Sequence, residues 1–213
     1  AWITSLNKNT VNLQTFYGEG KDRHDTYAQM TSAMLERVEK GEKVVGAFYG
    51  HPGVFAKVPH DAIAIAKSRG FDAYMLPGIS AESCLYADLG IDPGALGCQH
   101  YEANQFLLYK REVDTAAYLV LWQVGVAGDF SSAVFTSSSL QRKKLTDKLL
   151  SIYQANDSAI LYEAATLPID EFRATTIAIG ELHNHEINQH STLVIPPVSK
   201  PVVDDVDYSK GTN

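Results

Sequence analysis

Apolar residues recur along the chain at two spacings. In "DTYAQMTSAMLERVEKGEK", Tyr27, Met30, Met34 and Val38 fall near a helical repeat, with Asp25 a candidate cap and Gly41 a stop, so the pattern predicts a helix over residues 26–40. "VVGAF" (residues 44–48) is short, apolar and partly β-branched, as a strand buried on both faces would be. Next, "PHDAIAIAKSRG" reads as a helix stopped at Gly70, "DAYML" as a strand, and "AESCLYADLG" as a helix stopped at Gly90. Helices alternating with buried strands imply a parallel sheet of crossover units. After "IDPGALG" the pattern predicts strands at "NQFLLY" and "YLVLWQV", a helix over residues 140–154, and strands at "AILYE", "RATTIAI" and "STLVI". The pattern shifts at "YKREVDTAA", which places a boundary near residue 112. The expectation is an α/β fold of two α/β domains, 1–112 and 113–200, followed by a loose acidic tail, 201–213.

Bulk properties narrow the class. The 213 residues, 45% of them hydrophobic, suffice for a real core. A formal charge of −7 and a pI near 5.4 leave no basic stripe for a nucleic-acid backbone, so nucleic acid is not an expected partner. No apolar stretch reaches the ~20 residues that span a bilayer, so no membrane is expected either. Cys84 and Cys98 are too few for a disulfide framework and are not spaced as a zinc site, which points to a reducing compartment, the cytoplasm. The chain opens without Met or a signal-like segment, and its start reads as processed or cut.

The candidate chemistry lies in loops after strands. "FYGHPGVF" (residues 48–55) packs Gly50, His51, Pro52 and Gly53 at the end of a predicted strand, where glycines let the backbone turn sharply or approach a ligand. "PGISAE" repeats the arrangement after the next strand, with Ser80 placed to cap a helix. Each loop alone could be a plain connection; two on one sheet edge describe a pocket floor. His51 either touches a ligand or bonds neighbouring backbone. A nucleophile elbow is excluded, because Glu82 stands where Gly-x-Ser-x-Gly needs its last glycine. There is no Walker loop, and "GEGKDR" carries Arg23 in place of a third dinucleotide-binding glycine. His183, His185 and His190 with Glu186 suggest a metal, but their polar, loop-like surroundings read better as a solvated loop, and no metal is expected.

"FYGHPGVF", "LPGISAESCLYADLGIDPG", "LVLWQVG", "YEAATLP" and "STLVIPP", in this order, resemble the tetrapyrrole methylase-like superfamily of S-adenosylmethionine-dependent methyltransferases. Together with "NLQTFYGEGKDRHDTYAQM" they resemble more narrowly the borosin peptide backbone α-N-methyltransferases, of the split, bacterial-like kind, over residues 6–197. The resemblance implies a two-domain fold with S-adenosylmethionine in a cleft, leaving S-adenosylhomocysteine as product. It implies cofactor contacts from Tyr49, His51, Val54, Phe55, Ser80 and Ala81, and from Gln123, Tyr162, Ala164, Ser191 and Thr192 in the second half. It also implies an intertwined homodimer acting on a ribosomal precursor peptide.

Methylating a backbone amide demands an unusual base. The amide lone pair is shared with its carbonyl, so the proton must be removed or the imidate stabilised. The resemblance matches Tyr17, Arg23 and Tyr27 to the borosin catalytic pattern, the tyrosines managing proton and oxyanion while Arg23 favours a phenolate. The alternative is structural: Tyr27 as a helix core residue and Arg23 as a surface charge. Some borosin enzymes carry a tyrosine where this chain has Gln14.

Two departures follow. The superfamily begins with a strand, a glycine-rich loop and a helix, and this sequence starts after all of them, so that the sheet wants a strand that either an omitted N-terminal segment or a second polypeptide supplies. The sequence ends in "YSKGTN" without the apolar core peptide of a fused borosin, which implies a substrate supplied in trans unless the tail too was cut. The alternatives are a small-molecule, tetrapyrrole-type methyltransferase, for which the acidic chain offers no arginine cluster, and a non-catalytic scaffold that binds cofactor and peptide.

Overall fold

A computed structural model of the chain describes residues 2–18, 20–130, 136–167 and 169–203. The tail predicted from residue 201 thus lies largely outside the described residues. Among them, no helix is long and apolar enough to cross a membrane. Contacts divide the chain into two units, one running up to Cys84 and including Phe130, the other starting at Leu85.

The first unit is helical where the periodicity predicts helices. After the short α1 (Trp2–Leu6), α2 (Arg23–Glu39) begins earlier than the pattern suggests. Its cap is Asp22, whose carboxylate accepts the His24 N–H at 2.8 Å, rather than Asp25. Helix α3 (Lys57–Ser68) packs on α2, burying Val58, Ala62 and Ala66 against a face that includes Met30 and Leu35. The Arg69 guanidinium pairs with Glu39 across the two helices. Residues 44–48 and 72–76, predicted as strands, run without a ladder among the described residues. A strand is stabilised by its neighbour's hydrogen bonds, and neither segment has one; Val45, Tyr74 and Leu76 stay 70% or more exposed.

The second unit holds a five-stranded sheet in the order β1 (Cys98–Glu102), β2 (Tyr118–Trp122), β5 (Thr192–Ile195), β3 (Ser158–Glu163), β4 (Arg173–Ala178). Only β1 and β2 are parallel; the other pairs are antiparallel, so the parallel sheet expected from the alternating pattern is not what forms here. Alternation along β2 sorts side chains to two faces. Leu119 and Leu121 join Leu161, Leu193 and Ile195 under α6 (Ala103–Leu108) and α7 (Ser139–Leu150), with Phe106, Leu145 and Leu149 completing that core. Val120 and Trp122 join Tyr162 and Val194 on the opposite face against Leu85 of α4 (Ala81–Leu89) and Ile91, which precedes the short α5 (Pro93–Leu96).

One prediction fails in this unit and one strand goes unpredicted, both for physical reasons. "NQFLLY" is helix α6, not a strand: Glu102 caps it by accepting the Gln105 N–H at 2.8 Å, and Phe106 turns fully into the core. "CQHYE", a sequence too polar to read as a strand, is β1, tied to its surroundings by side chains. Gln99 exchanges two hydrogen bonds with the Asp114 backbone, and the His100 ring stacks on Trp122. Because β1 ladders with β2, residues on both sides of position 112 share one sheet, and the division between units falls inside α4 at Cys84 instead.

Candidate functional site

The earlier start of α2 determines the first constellation. Arg23 becomes the first helical residue, four positions before Tyr27, so the two share a helix face. Ahead of the helix, Asn12 caps a 3-10 turn over Leu13–Phe16 through the Gln14 N–H, and the Tyr17 N–H closes that turn onto the Gln14 carbonyl. Lys21 fixes the turn to α2 by donating to the Phe16 carbonyl at 2.7 Å and to Gln29 at 2.6 Å. The outcome is that Tyr17 and Tyr27 meet edge to face, ring centroids 6.4 Å apart. Tyr17, Arg23 and Tyr27, assembled by resemblance, are brought together.

At Tyr17 the electrostatics do not favour a phenolate. Tyr17 has its pKa raised above the ordinary tyrosine value, first by burial, then by the neighbouring Tyr27 and by the hydrogen bond to it; Arg23 pulls the other way and is outweighed. The Tyr17 hydroxyl is therefore held as a neutral phenol.

The glycine loops of the first unit form as the motif requires. Gly50 has a positive φ of 70°, and a side chain on Gly78 would begin 2.7 Å from the Gly50 carbonyl, so two loops meet backbone to backbone where no Cβ fits. His51 accepts the Gly53 N–H on Nδ1 at 2.9 Å, while His60, from α3, donates from Nε2 to the Gly53 carbonyl at 2.9 Å. Both polar groups of Gly53 are thus held by histidines. His51 thus bonds neighbouring backbone through Nδ1. Tyr49 (82% exposed) and Phe55 (49%, φ 51°) stand outward beside the half-buried Val54. Ser80 is half-buried at the head of α4, where its carbonyl accepts the Ser83 N–H; Ala81 opens the helix. His60 was invisible in sequence, since it sits in an ordinary helical stretch seven residues past its target.

The second-unit residues lie around the ends of β2, β3 and β5. Gln123 has a left-handed backbone (φ 59°) immediately after β2, an uncommon conformation for a residue with a side chain. Tyr162 is fully buried and donates its hydroxyl to Asp88 at 2.6 Å, and Thr192, its cross-strand partner, is buried as well. Ser191 is 1% exposed; Gln123 and Ala164 are the half-buried members. The hub among them is a residue that no motif singled out. Glu163 accepts from Ser191 Oγ at 2.5 Å, from Asn188 Nδ2 at 3.0 Å and from Arg173 at 3.2 Å, with His190 at 3.5 Å. These donors outweigh the cost of burial and hold its pKa below the ordinary carboxylate value. A cleft of about 500 Å³ beside it is lined by Ala164, Asp170, Arg173 and His190, among others. His183, His185, Glu186 and His190 form no metal-binding group among the described residues.

The family pattern of tetrapyrrole (corrin/porphyrin) methylases matches residues 4–179. A methyltransferase/ribosomally synthesized cyclic peptide gymnopeptides precursor of Gymnopus fusipes is 45% identical over 203 residues, covering 92% of this chain and 48% of that protein. The corresponding omphalotin A precursor of Omphalotus olearius is 44% identical over 206 residues, 94% of this chain and 49% of its own length. A type I borosin cyclic peptide precursor of Coprinopsis marcescibilis is 43% identical over 203 residues, 92% and 52% respectively. The chain thus spans about half the length of the curated relatives it matches. Among solved structures, the cobalamin biosynthetic cobalt precorrin-4 methyltransferase superposes with a TM-score of 0.54 at 16% identity, over 80% of this chain and 70% of that one. A uroporphyrin-III C-methyltransferase from Thermus thermophilus reaches 0.56 at 17%, over 83% and 72%. At such identities the likeness shows the fold. By sequence and fold alike, the chain belongs to the tetrapyrrole (corrin/porphyrin) methylase family, within which its curated relatives include borosin methyltransferase precursors.

Proposed function

We propose that this chain is an S-adenosylmethionine-dependent methyltransferase that methylates backbone amide nitrogens of a ribosomally made precursor peptide. The observation that carries the reading is the meeting of Tyr17 and Tyr27 beside Arg23, in a chain 43–45% identical to methyltransferase/cyclic-peptide precursor proteins. The backbone-to-backbone approach at Gly50 and Gly78, with outward Tyr49 and Phe55, suits a flat nucleoside and leaves room for main-chain hydrogen bonds to it. In this reading Tyr49, His51, Val54, Phe55, Ser80 and Ala81 hold the cofactor from the first unit, and the set around Gln123 and Ala164 from the second. When bound, S-adenosylmethionine supplies a sulfonium methyl as the electrophile.

The residues of this chain then handle the amide. Tyr17, neutral and a donor, suits the developing oxyanion of an imidate. On substrate binding its single O–H turns from Tyr27 to that oxygen, and Tyr27 takes the amide proton as it gives its own phenol proton to solvent, ending the step as a neutral phenol. The Arg23 guanidinium offsets negative charge on either oxygen. The reading extends to a homodimer in the cytoplasm with the precursor supplied in trans. Exposed Val45, Tyr49, Tyr74, Leu76 and Ile79 in the first unit support a partner surface, and Cys84 and Cys98, which are not joined in a disulfide, support a reducing compartment.

The test is incubation with S-adenosylmethionine and candidate precursors ending in apolar stretches, read by fragmentation mass spectrometry, with native mass reporting the dimer. Backbone methyl additions are expected, lost in Tyr27→Phe and Arg23→Ala while S-adenosylhomocysteine affinity stays within about twofold. Cofactor binding without turnover on any peptide would favour a scaffold instead.

A further inference from the structure

We propose that Glu163 is the positioning residue of the second unit's cofactor-facing turn, acting through Ser191 on Gln123 and Ala164 rather than through any contact of its own with the ligand. The assignment rests on the cofactor reading above and follows from where each polar group of Ser191 goes. Its hydroxyl donates to Glu163 at 2.5 Å and accepts the Asn188 N–H at 2.8 Å. Its own N–H donates to the Asn188 carbonyl, and its carbonyl accepts the Val124 N–H at 3.2 Å. With 1% of its surface exposed and both its O–H and its N–H donated within the protein, Ser191 has no donor left for a ligand, although the resemblance places it at the cofactor.

What Ser191 does instead is transmit. Its carbonyl holds the backbone directly after Gln123, the residue with a left-handed φ of 59°. Gly125, one turn on, lies so close to the 188–191 segment that a Cβ there would come within 2.0 Å of the Asn188 carbonyl. Such a backbone conformation persists only where its surroundings over-determine it. Asn188 reaches both carboxylate oxygens of Glu163, at 3.0 and 3.2 Å, and Arg173 and His190 close the remaining sides. Ala164 follows Glu163 in the chain and is half-buried, so one carboxylate sets both half-buried residues of this half-site.

The experiment is calorimetric titration of S-adenosylhomocysteine into the whole chain and into Glu163→Gln, Ser191→Ala and the double variant, well below their melting temperatures. An amide has one acceptor oxygen where the carboxylate has two, so it cannot serve Ser191, Asn188 and Arg173 together. Each single variant is expected to bind about tenfold more weakly, and the double variant no more weakly than either, because both cut one linkage. In turnover, KM for S-adenosylmethionine should rise with kcat unchanged, which a purely structural loss would not produce. Affinity of Glu163→Gln within about twofold of wild type overturns the assignment, as do single losses that add in the double variant, since additivity would mean that Ser191 contacts the ligand directly. If Glu163→Gln does not fold, Asn188→Ala carries the test: a loss of about threefold or more supports the linkage and unchanged affinity overturns it. A wild-type chain that binds no S-adenosylhomocysteine overturns the cofactor reading, and this assignment with it.

Discussion

The two units treat similar apolar segments in opposite ways. In the second, the "YLVLW" and "TLVI" runs are woven into a sheet whose two faces are covered, and six of the nine residues have no exposed surface. In the first, "VVGAF" and "DAYML" are comparably apolar yet extend without a ladder, and Val45, Tyr74 and Leu76 remain exposed. The difference shows that an apolar run specifies extended backbone locally, whereas its burial is a property of its neighbours. Stability should therefore be concentrated in the second unit, and the ligand loops of the first should tolerate change better than the sheet.

The sharpest break of that comparison uses glycines. Gly125→Ala drives a Cβ to 2.0 Å from the Asn188 carbonyl, a backbone atom that cannot step aside, so the variant is expected not to fold. Gly53→Ala, in the first-unit loop, meets the Met75 Sδ at 2.8 Å, a flexible side chain that can move, and should cost about 1 kcal/mol or less. Chemical denaturation of the pair reads the contrast. Equal losses at the two glycines would mean that both loops are equally rigid.

A smaller effect is expected from side-chain truncation. Leu193→Ala empties a fully buried position between β2 and β3 and should cost about 2–5 kcal/mol. Val45→Ala, 82% exposed, should fall within about 0.5 kcal/mol of wild type. A large loss at Val45 would reveal a covering partner in solution and so sharpen the comparison toward the homodimer.

Much of this was legible in the sequence, and what was not has identifiable causes. Helices α2, α3 and α4 and strands β2 to β5 follow from periodicity because their own side chains form the contact faces. Strand β1 was hidden because "CQHYE" owes its place to hydrogen bonds that pair with distant residues: Gln99 with Asp114, and His100 with Tyr86 and Trp122. Helix α6 was misread because a short apolar run fits either period, and its cap, Glu102, is not a typical capping residue. At the site, Tyr17, Arg23 and Tyr27 were legible through the resemblance, since Arg23 lay outside the predicted helix, but the charge state of Tyr17 was not. It depends on burial, which opposes Arg23, and burial is a tertiary quantity. His60 and Glu163 were missed for the same reason: each acts on residues far along the chain.

The finest test of the comparison is pH, because each unit carries one site residue shifted in its own direction. Glu163 has a depressed pKa in the folded state, so its contribution to stability is complete above the unfolded carboxylate value, 4.5, and is lost as pH falls through the lower folded value. Tyr17 has a raised pKa, so its contribution is complete below 10.0 and is lost as pH rises through the higher folded value. Acid melts should therefore bring wild type and Glu163→Gln together as pH drops below 4.5. Alkaline melts should bring wild type and Tyr17→Phe together only above pH 10. Absorbance titration isolates the second case, because the difference between wild type and Tyr17→Phe is one phenol. If that phenol ionises below 10, the Arg23 guanidinium outweighs burial, Tyr17 becomes the base, and the roles of Tyr17 and Tyr27 exchange.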